Sequence, residues 1–189
     1  MASFTAIYDA CVLYPAPLRD LLVRLAITGK FRARWSVDIH DEWTRNVLKN
    51  REDLTAEQVN RTRELMDNAV PDCLVTGYSK LIGGLELPDP NDRHVLAAAI
   101  KANAEVIVTF NLKDFPKEIL DEFEIFAQHP DDFIDNVYDL SPQTVISTAR
   151  QQRSGLTNPT MSAEDFISTL QANQLTNTAS HLEDAIDLI

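Results

Sequence analysis

The chain has 189 residues, of which 44% are hydrophobic and 24% are charged, an ordinary composition for one compact soluble domain with an appendage. Its formal net charge is −12, and the acidic excess lies in the second half: residues 1–80 hold 11 basic and 11 acidic side chains, whereas residues 81–189 hold 6 and 18. Phosphate contacts supply most non-specific affinity for nucleic acids. The composition therefore argues against a general nucleic-acid-binding protein, and any nucleic-acid role would need a local basic face and a metal.

The chain carries no pattern of a membrane or secretory segment. No apolar run approaches the roughly 20 residues that a membrane span needs, and no basic region followed by a long apolar stretch opens the chain. We therefore expect a cytoplasmic protein without membrane association. Its two cysteines, Cys11 and Cys73, lie in apolar contexts without partners at metal-ligand spacing, which predicts buried, reduced thiols without a chemical role.

The first half of the chain alternates short β-rich runs with helical patterns. The predicted elements are, in order, a strand at 4–8, a helix at about 18–26, a strand end at 33–35, helices at 37–51 and 55–70, and a buried strand at 73–75. Ser36 is placed to cap the helix that follows it, and Thr55 precedes Gln58 by three residues, the spacing of a capping box. Gly29 and Pro71 mark helix ends.

A proline-punctuated acidic turn opens the second half. Asp89 is placed to cap a helix whose first position is Pro90, which puts Asp92 in the first turn. The predicted elements are, in order, this helix to residue 103, a strand at 106–109, a short helix at 117–123, a small strand at 125–126, and helices at 142–154, 162–174 and 178–188. We therefore predict two parts: a domain of residues 1–140, and a three-helix extension of residues 141–189 that docks on the domain or on a partner.

Strands that alternate with helices predict an α/β layer fold with a mainly parallel central sheet flanked by helices. In such sheets the ligand crevice lies outside the carboxyl ends of the strands. Asp9 directly follows the first strand, and the polar cluster Asn111–Asp114 follows the strand at 106–109. These groups are therefore expected at the same edge of the sheet.

Four acidic residues are candidates for one divalent-metal site: Asp9, Glu42, Asp92 and Asp114. Mg²⁺ and Mn²⁺ prefer oxygen ligands, and carboxylates brought together repel one another unless a cation or a shared proton compensates. Each acid taken singly also has an ordinary explanation, as a helix first-turn acid for Asp92, a solvated helix residue for Glu42 and a loop cap for Asp114. Spacing alone leaves open whether the four meet.

The four acids lie in segments that together resemble one protein family. The segments are Tyr8–Leu13, Asp41–Trp43, Asp89–Arg93 and Thr109–Phe115. In order, spacing and setting they resemble the motifs of PIN domains, and in particular those of the VapC-like toxins of bacterial toxin–antitoxin pairs, which include a subgroup with a helical C-terminal extension. The resemblance implies a PIN-like three-layer α/β fold with an all-helical extension.

The same resemblance implies a Mg²⁺- or Mn²⁺-dependent endoribonuclease in which Asp9, Glu42 and Asp92 bind the metal. Many relatives have Asp where this chain has Asn111, so Asp114 is expected as the fourth acid and Asn111 as a further, neutral ligand. Hydrolysis would use a metal-activated water rather than a covalent nucleophile. A cognate antitoxin and a homodimer are the partners that the resemblance implies, besides the RNA substrate.

Other polar residues are expected to support this site. Thr109 is expected to orient a carboxylate or a water, although an ordinary strand residue fits equally well, and Ser36 fits better as a helix cap than as a reactive hydroxyl. Arg45, Asn46 and Lys49 follow the helix-borne glutamate by three, four and seven residues, on one helix face. They could bind RNA phosphates there or form a solvated polar surface.

Two other functions fit parts of the pattern. A phosphoacceptor receiver domain also has acids at strand ends, but it needs an adjacent acidic pair after the first strand, where Asp9 stands alone. A non-catalytic PIN-like binding module is favoured by Asn111. The four histidines, at 40, 94, 129 and 181, have no metal-ligand spacing and are interpreted as ordinary polar residues.

Overall fold

A four-stranded sheet lies at the centre of the computed structural model, which describes residues 4–189. Its strands are β1 (Thr5–Tyr8), β2 (Arg32–Arg34), β3 (Val106–Val108) and β4 (Phe126–Gln128). They lie in the order β2-β1-β3-β4, and each neighbouring pair is parallel. All residues of β1 and β3 are buried, as expected for strands covered by helices on both faces. The predicted α/β fold with a parallel central sheet is therefore confirmed.

Helices connect and cover these strands. They are α1 (Ala10–Leu13), α2 (Ala16–Ile27), α3 (Val37–Asn50), α4 (Ala56–Ala69), α5 (Ser79–Ile82), α6 (Arg93–Ala102) and α7 (Lys117–Leu120). Short 3₁₀ turns occupy Pro90–Asp92, Leu112–Asp114 and Asp121–Phe123. Ser36 Oγ accepts a hydrogen bond from the Ile39 amide at the start of α3, and Thr55 and Gln58 form both bonds of a capping box at the start of α4. The caps predicted from the sequence therefore begin these two helices.

The strand predicted at 73–75 is wrong. This segment forms only an isolated parallel bridge, between Trp35 and Leu74. Asp72 before the segment and Gly77 after it have positive φ angles, of 55° and 74°. These left-handed residues turn the backbone on both sides of the bridge, so the apolar run is too short to extend the sheet.

Four helices follow the sheet. They are α8 (Pro130–Leu140), α9 (Pro142–Gly155), α10 (Ala163–Ala172) and α11 (Thr176–Asp184), followed by a 3₁₀ turn at Ile186–Leu188. The last three lie near their predicted positions, whereas α8 was not predicted. α9 packs against α2, and α8 packs against both α9 and α11. The all-helical extension is therefore confirmed, and α8 packs directly against two of its helices.

One hydrophobic core runs through the sheet domain and the extension. The extension contributes fully buried side chains that include Val145, Ala149, Phe166, Leu170 and Leu182. Gln152 on α9 also donates a hydrogen bond to the Pro17 carbonyl oxygen at 2.8 Å. The extension therefore docks on the domain and completes its core, while the division at residue 140 stays a prediction.

A single buried carboxylate, that of Asp131, ties α8 to α11. Asp131 Oδ2 accepts from the Asn177 amide at 2.7 Å, and Oδ1 accepts from the Thr178 amide at 2.9 Å and from Thr178 Oγ1 at 2.7 Å. The first amides of a helix have no partner within it, so a distant carboxylate that accepts from them acts as a cap. Asp131 therefore caps α11 from the first turn of another helix.

Cys11 and Cys73 are free, as predicted, and Cys11 is only partly buried. Among residues 4–189, no helix has both the length and the apolar character required to cross a membrane.

Candidate active site

A polar pocket opens at the carboxyl end of the sheet, with a volume of about 620 Å³. It is lined by Asp38, Asp41, Glu42, Arg45, Asn46, Asp89, Asn91, Asp92, His94, Asn111 and Asp114. These residues come from α3, from the turn before α6, from the first turn of α6 and from the loop after β3. Six of them are acids and one is an arginine. Three of the four predicted acids, Glu42, Asp92 and Asp114, therefore line one pocket at the predicted edge.

The fourth predicted acid, Asp9, is buried directly after β1, with 2% of its surface exposed. Its Oδ1 accepts from the Ala10 amide at 2.6 Å, and its Oδ2 accepts from Thr109 Oγ1 at 2.7 Å and from Cys11 Sγ at 3.1 Å. Burial raises the pKa of the Asp9 carboxyl, and these hydrogen bonds oppose that rise. The negative charge of Glu42 raises the pKa further, so the two acids interact electrostatically.

Asp92 ends the 3₁₀ turn before α6 and is 7% exposed. Burial, and after it the neighbouring negative charges, together raise the pKa of its carboxyl to about 7. Those charges belong to Asp9, Asp89, Asp114 and Glu42. The four predicted acids are therefore electrostatically coupled around Asp92.

Glu42 projects from α3 and contacts a histidine that was interpreted as an ordinary polar residue. His94 Nε2 lies 3.2 Å from Glu42 Oε2, and His94 lines the same pocket. Burial lowers the pKa of His94, but the hydrogen bond to Glu42 and the negative charges of Glu42, Asp38 and Asp9 together leave the pKa raised. His94 therefore belongs to the site, and the interpretation from its sequence spacing missed it.

Asp114 and Asn111 both reach the pocket from the loop after β3. Asp114 ends a 3₁₀ turn, and its amide donates to the Asn111 carbonyl oxygen at 3.0 Å. The Asn111 amide in turn donates to Thr109 Oγ1 at 2.9 Å. This short turn brings the acid and the neutral amide to the same pocket, although they are three positions apart in the sequence.

Thr109 and Cys11 connect the end of β1 and the start of α1 to the segment that follows β3. Thr109 is fully buried, and its hydroxyl bonds Asp9 as donor and the Asn111 amide as acceptor. Cys11 Sγ lies 3.3 Å from Thr109 Oγ1 and accepts from the Phe110 amide at 3.3 Å. Burial raises the pKa of the Cys11 thiol, which keeps it protonated. Cys11 thus contacts a candidate ligand, a role that its apolar sequence context did not indicate.

Of the other residues expected to support the site, two line the pocket and two do not. Arg45 and Asn46 line the pocket, one turn along α3 from Glu42. Lys49 is exposed one turn further on and does not line it. Ser36 is fully buried and caps α3, so any effect it has on the acids passes through the position of that helix.

The donor chemistry of the pocket fits Mg²⁺ or Mn²⁺, because carboxylate and amide oxygens are the ligands that these ions prefer. The mutual repulsion that raises the pKa of Asp92 is also what a bound cation would relieve. In the part of the chain that is described, however, no three His, Cys, Asp or Glu side chains stand close enough to hold a metal ion. The residues therefore fit such an ion in chemical type and location, but their spacing in this structure does not form a closed ligand set.

Comparison with known proteins places these residues in a family. The model of the PIN domain family matches residues 5–113, more than half of the chain, and that of the VapC50 C-terminal domain matches residues 130–184. The chain is 47% identical over 73 residues to "Putative ribonuclease VapC50" of Mycobacterium tuberculosis, a match that spans 39% of this chain and 43% of that protein. The match thus covers less than half of the length of this curated relative, and no solved structure matches the chain. On the strength of the match over residues 5–113, the chain belongs to the PIN domain family.

Proposed function

We propose that this chain is a metal-dependent endoribonuclease and the toxin of a type II toxin–antitoxin pair. The observation that carries the proposal is the convergence of acids on one pocket, where burial and neighbouring charges raise the pKa of Asp92 to about 7. Strongly perturbed carboxylates in a cleft are characteristic of functional sites. Family membership and the partial match to "Putative ribonuclease VapC50" support RNA as the substrate.

The residues that would hold Mg²⁺ or Mn²⁺ are Asp9, Glu42, Asp92 and Asp114, with Asn111 as a neutral ligand. When bound, such an ion supplies an activated water and stabilises the negative charge that develops on the phosphate. The fold prepares the acids for this role in different ways. Thr109 and Cys11 hold Asp9 by hydrogen bonds, whereas Asp92 is oriented by the turn that precedes α6.

The RNA backbone would enter a pocket that repels it. Six acids line the pocket, and Arg45 is the one arginine or lysine among its lining residues. Arg45 and Asn46 would bind phosphate oxygens of the RNA beside α3, and Lys49 would contact the RNA backbone outside the pocket. RNA binding should therefore be weak without a divalent ion. It should fall only modestly as the salt concentration rises, because the salt dependence scales with the number of phosphates that basic side chains contact.

The experiment that tests this function is cleavage of RNA by the purified full-length chain. We expect cleavage with Mg²⁺ or Mn²⁺, loss of cleavage with a chelator and recovery when the ion is added back. Glu42→Gln and Asp114→Asn should each lower the rate at least ~10-fold, because each removes one charged ligand. RNA binding without cleavage at any divalent-ion concentration would instead support a non-catalytic PIN-like binding module.

We also propose a protein antitoxin as partner, and a groove away from the acids as its binding surface. The groove has a volume of about 660 Å³ and lies between α2, α4 and the helical extension. Ile27 and Leu65 line it with 54% and 53% of their surfaces exposed. An amphipathic helix laid in such a groove would bury these side chains. A homodimer in solution is the further assembly that we propose, and sedimentation of the free chain would measure it.

If the antitoxin binds in this groove, substitutions of two exposed leucines should affect its binding differently. Leu65→Glu should weaken binding of the antitoxin, taken as the product of the adjoining reading frame, at least ~10-fold, because a charge would be buried in the interface. Leu188→Glu should leave binding unchanged, since Leu188 is 58% exposed and does not line the groove. Calorimetric titration with both variants measures this, and equal affinities would exclude the groove as the binding surface.

A further inference from the structure

The Glu42 carboxylate has one hydrogen-bond partner within residues 4–189, and that partner comes from a different helix. His94 Nε2 lies 3.2 Å from Glu42 Oε2. Glu42 lies on α3, whereas His94 lies in the first turn of α6, two residues after Asp92. The contact therefore links the helix that carries one candidate metal ligand to the turn that carries another.

The two ring nitrogens of His94 have different surroundings. The side chain is 15% exposed, and Nδ1 is buried without a hydrogen-bond partner among the described residues. Buried polar atoms without partners are uncommon in folded proteins, and those that persist concentrate at functional sites. In the neutral ring that donates from Nε2, the Glu42 carboxylate keeps its full negative charge, and Nδ1 is the bare nitrogen. Among the described residues, the His94 ring therefore forms a hydrogen bond with Glu42 only.

We propose that His94 is a positioning residue that holds Glu42 for a divalent metal ion; this inference rests on the function proposed above. Its Nε2–H fixes Oε2 of Glu42 and leaves Oε1 free to meet the ion. Groups that hold a metal ligand from behind commonly change metal affinity by about 10- to 100-fold when they are removed. His94 contacts neither the ion nor the RNA, so it acts through Glu42 alone.

Two substitutions of similar size separate this role from simple packing. The amide nitrogen of His94→Gln can reach the place of Nε2 and donate to Glu42, whereas the shorter His94→Asn cannot. Mn²⁺ binding to the full-length chain, measured by titration calorimetry without RNA, should weaken ~10-fold for His94→Asn and stay within ~3-fold of the parent for His94→Gln. The fitted stoichiometry counts folded protein, so the affinities compare folded molecules.

His181→Gln is the matched control. Its Nε2 lies 2.6 Å from Asp135 Oδ1, in a histidine–carboxylate pair of the extension that does not line the pocket. This variant should bind Mn²⁺ as the parent does. In cleavage assays, His94→Asn should lose rate at limiting Mn²⁺ and recover at saturating Mn²⁺, because the defect lies in metal affinity.

The inference is overturned if His94→Asn binds Mn²⁺ as tightly as the parent, or if His94→Gln is as weak as His94→Asn. Failure of the proposed function has a different signature. If the Mn²⁺ affinity depends on residue 94 as predicted but the parent never cleaves RNA, the proposed nuclease activity is wrong and the role of His94 stands. A parent that cleaves RNA with no effect of residue 94 on Mn²⁺ affinity would refute the role of His94 alone.

Discussion

Asp92 is the residue at which folding and function conflict most directly. It is buried among acids, and its pKa rises from 3.8 to about 7 in the folded chain. Between pH 4 and pH 7 the folded chain therefore retains a proton that the unfolded chain has released. The stability that protonated Asp92 contributes to the folded chain is therefore fully present below pH 4 and is lost as the pH rises through 7. Without metal, the ionised form of Asp92 destabilises the folded state.

Asp92→Asn should accordingly stabilise the metal-free protein while it removes a candidate ligand. At pH 8 the free energy of unfolding should rise by on the order of 1–3 kcal/mol, because each pKa unit corresponds to about 1.4 kcal/mol. At pH 5 the gain should be smaller. Urea denaturation at the two pH values, with a chelator present, measures the difference.

The control for this prediction is Asp139→Asn, which replaces an exposed acid of α8. It should change stability by less than ~0.5 kcal/mol at either pH, as exposed substitutions usually do. A gain for Asp92→Asn that is equal at pH 5 and pH 8, or a loss at pH 8, would contradict the raised pKa.

The sequence indicated the acids because each lies in a recognisable segment at the end of a predicted element. It did not indicate His94 or Cys11, because their contacts are long-range. His94 meets Glu42 across 52 positions, and Cys11 meets Thr109 across 98. No local spacing encodes such pairs. Only the packing of α3 against α6, and the pairing of β1 with β3, brings them together.

At the scale of single elements, α11 depends on a residue outside itself. The N-cap residue of α11, Leu175, makes no side-chain hydrogen bond to the helix. The Asp131 carboxylate accepts from two of the first amides of α11 instead. Asp131 is 5% exposed, so these charge-assisted bonds are shielded from water. The docking of α11 on α8 is thus fixed at one buried point.

Asp131→Ala should therefore lower the free energy of unfolding by about 2–4 kcal/mol, because it leaves two amides and a hydroxyl without their acceptor. Asp132→Ala is the matched control, since Asp132 is the exposed neighbour in the same helical turn. That variant should cost less than ~1 kcal/mol, the usual size of a first-turn charge effect. Urea denaturation of both variants measures the difference, and a loss for Asp131→Ala as small as the one predicted for Asp132→Ala would show that the cap is dispensable.

Elements with strong local signals were predictable, and elements defined by tertiary contacts were not. Ser36, Thr55 and the Asp89–Pro90 pair marked helix starts that the structure confirms within a few residues. The segment at 73–75 has the apolar character of a strand, but its length is limited by the turns around it. α8 was missed although its apolar residues recur at helical spacing.

For the whole molecule, the extension is part of the folding unit. Its apolar side chains join the same core as those of the sheet domain, and α9 packs directly on α2. The parallel sheet and the edge that bears the site were predictable, because strands alternate with helices and acids follow strands. The docking of the extension was not, because amphipathic helices do not specify the surface that they cover. Membership of the PIN family also excludes the receiver-domain alternative.

A chain that ends after Leu140 should therefore fail to fold as an independent domain. It would expose the face of α2 that α9 covers and would lose the buried side chains of three helices. Expression should give insoluble protein or a soluble chain without a cooperative thermal transition, as calorimetry would measure. A soluble fragment that unfolds cooperatively near the melting temperature of the parent would contradict a shared core.

The acids around Asp92 are proposed to form a metal-dependent ribonuclease site. The rate of RNA cleavage by Asp92→Asn, relative to the parent and to Asp139→Asn, at saturating Mn²⁺ and pH 8, decides whether they do. We predict a rate at least ~100-fold below that of the parent for Asp92→Asn, with undiminished folding stability, and an unchanged rate for Asp139→Asn. Cleavage by Asp92→Asn at the rate of the parent would contradict the claim.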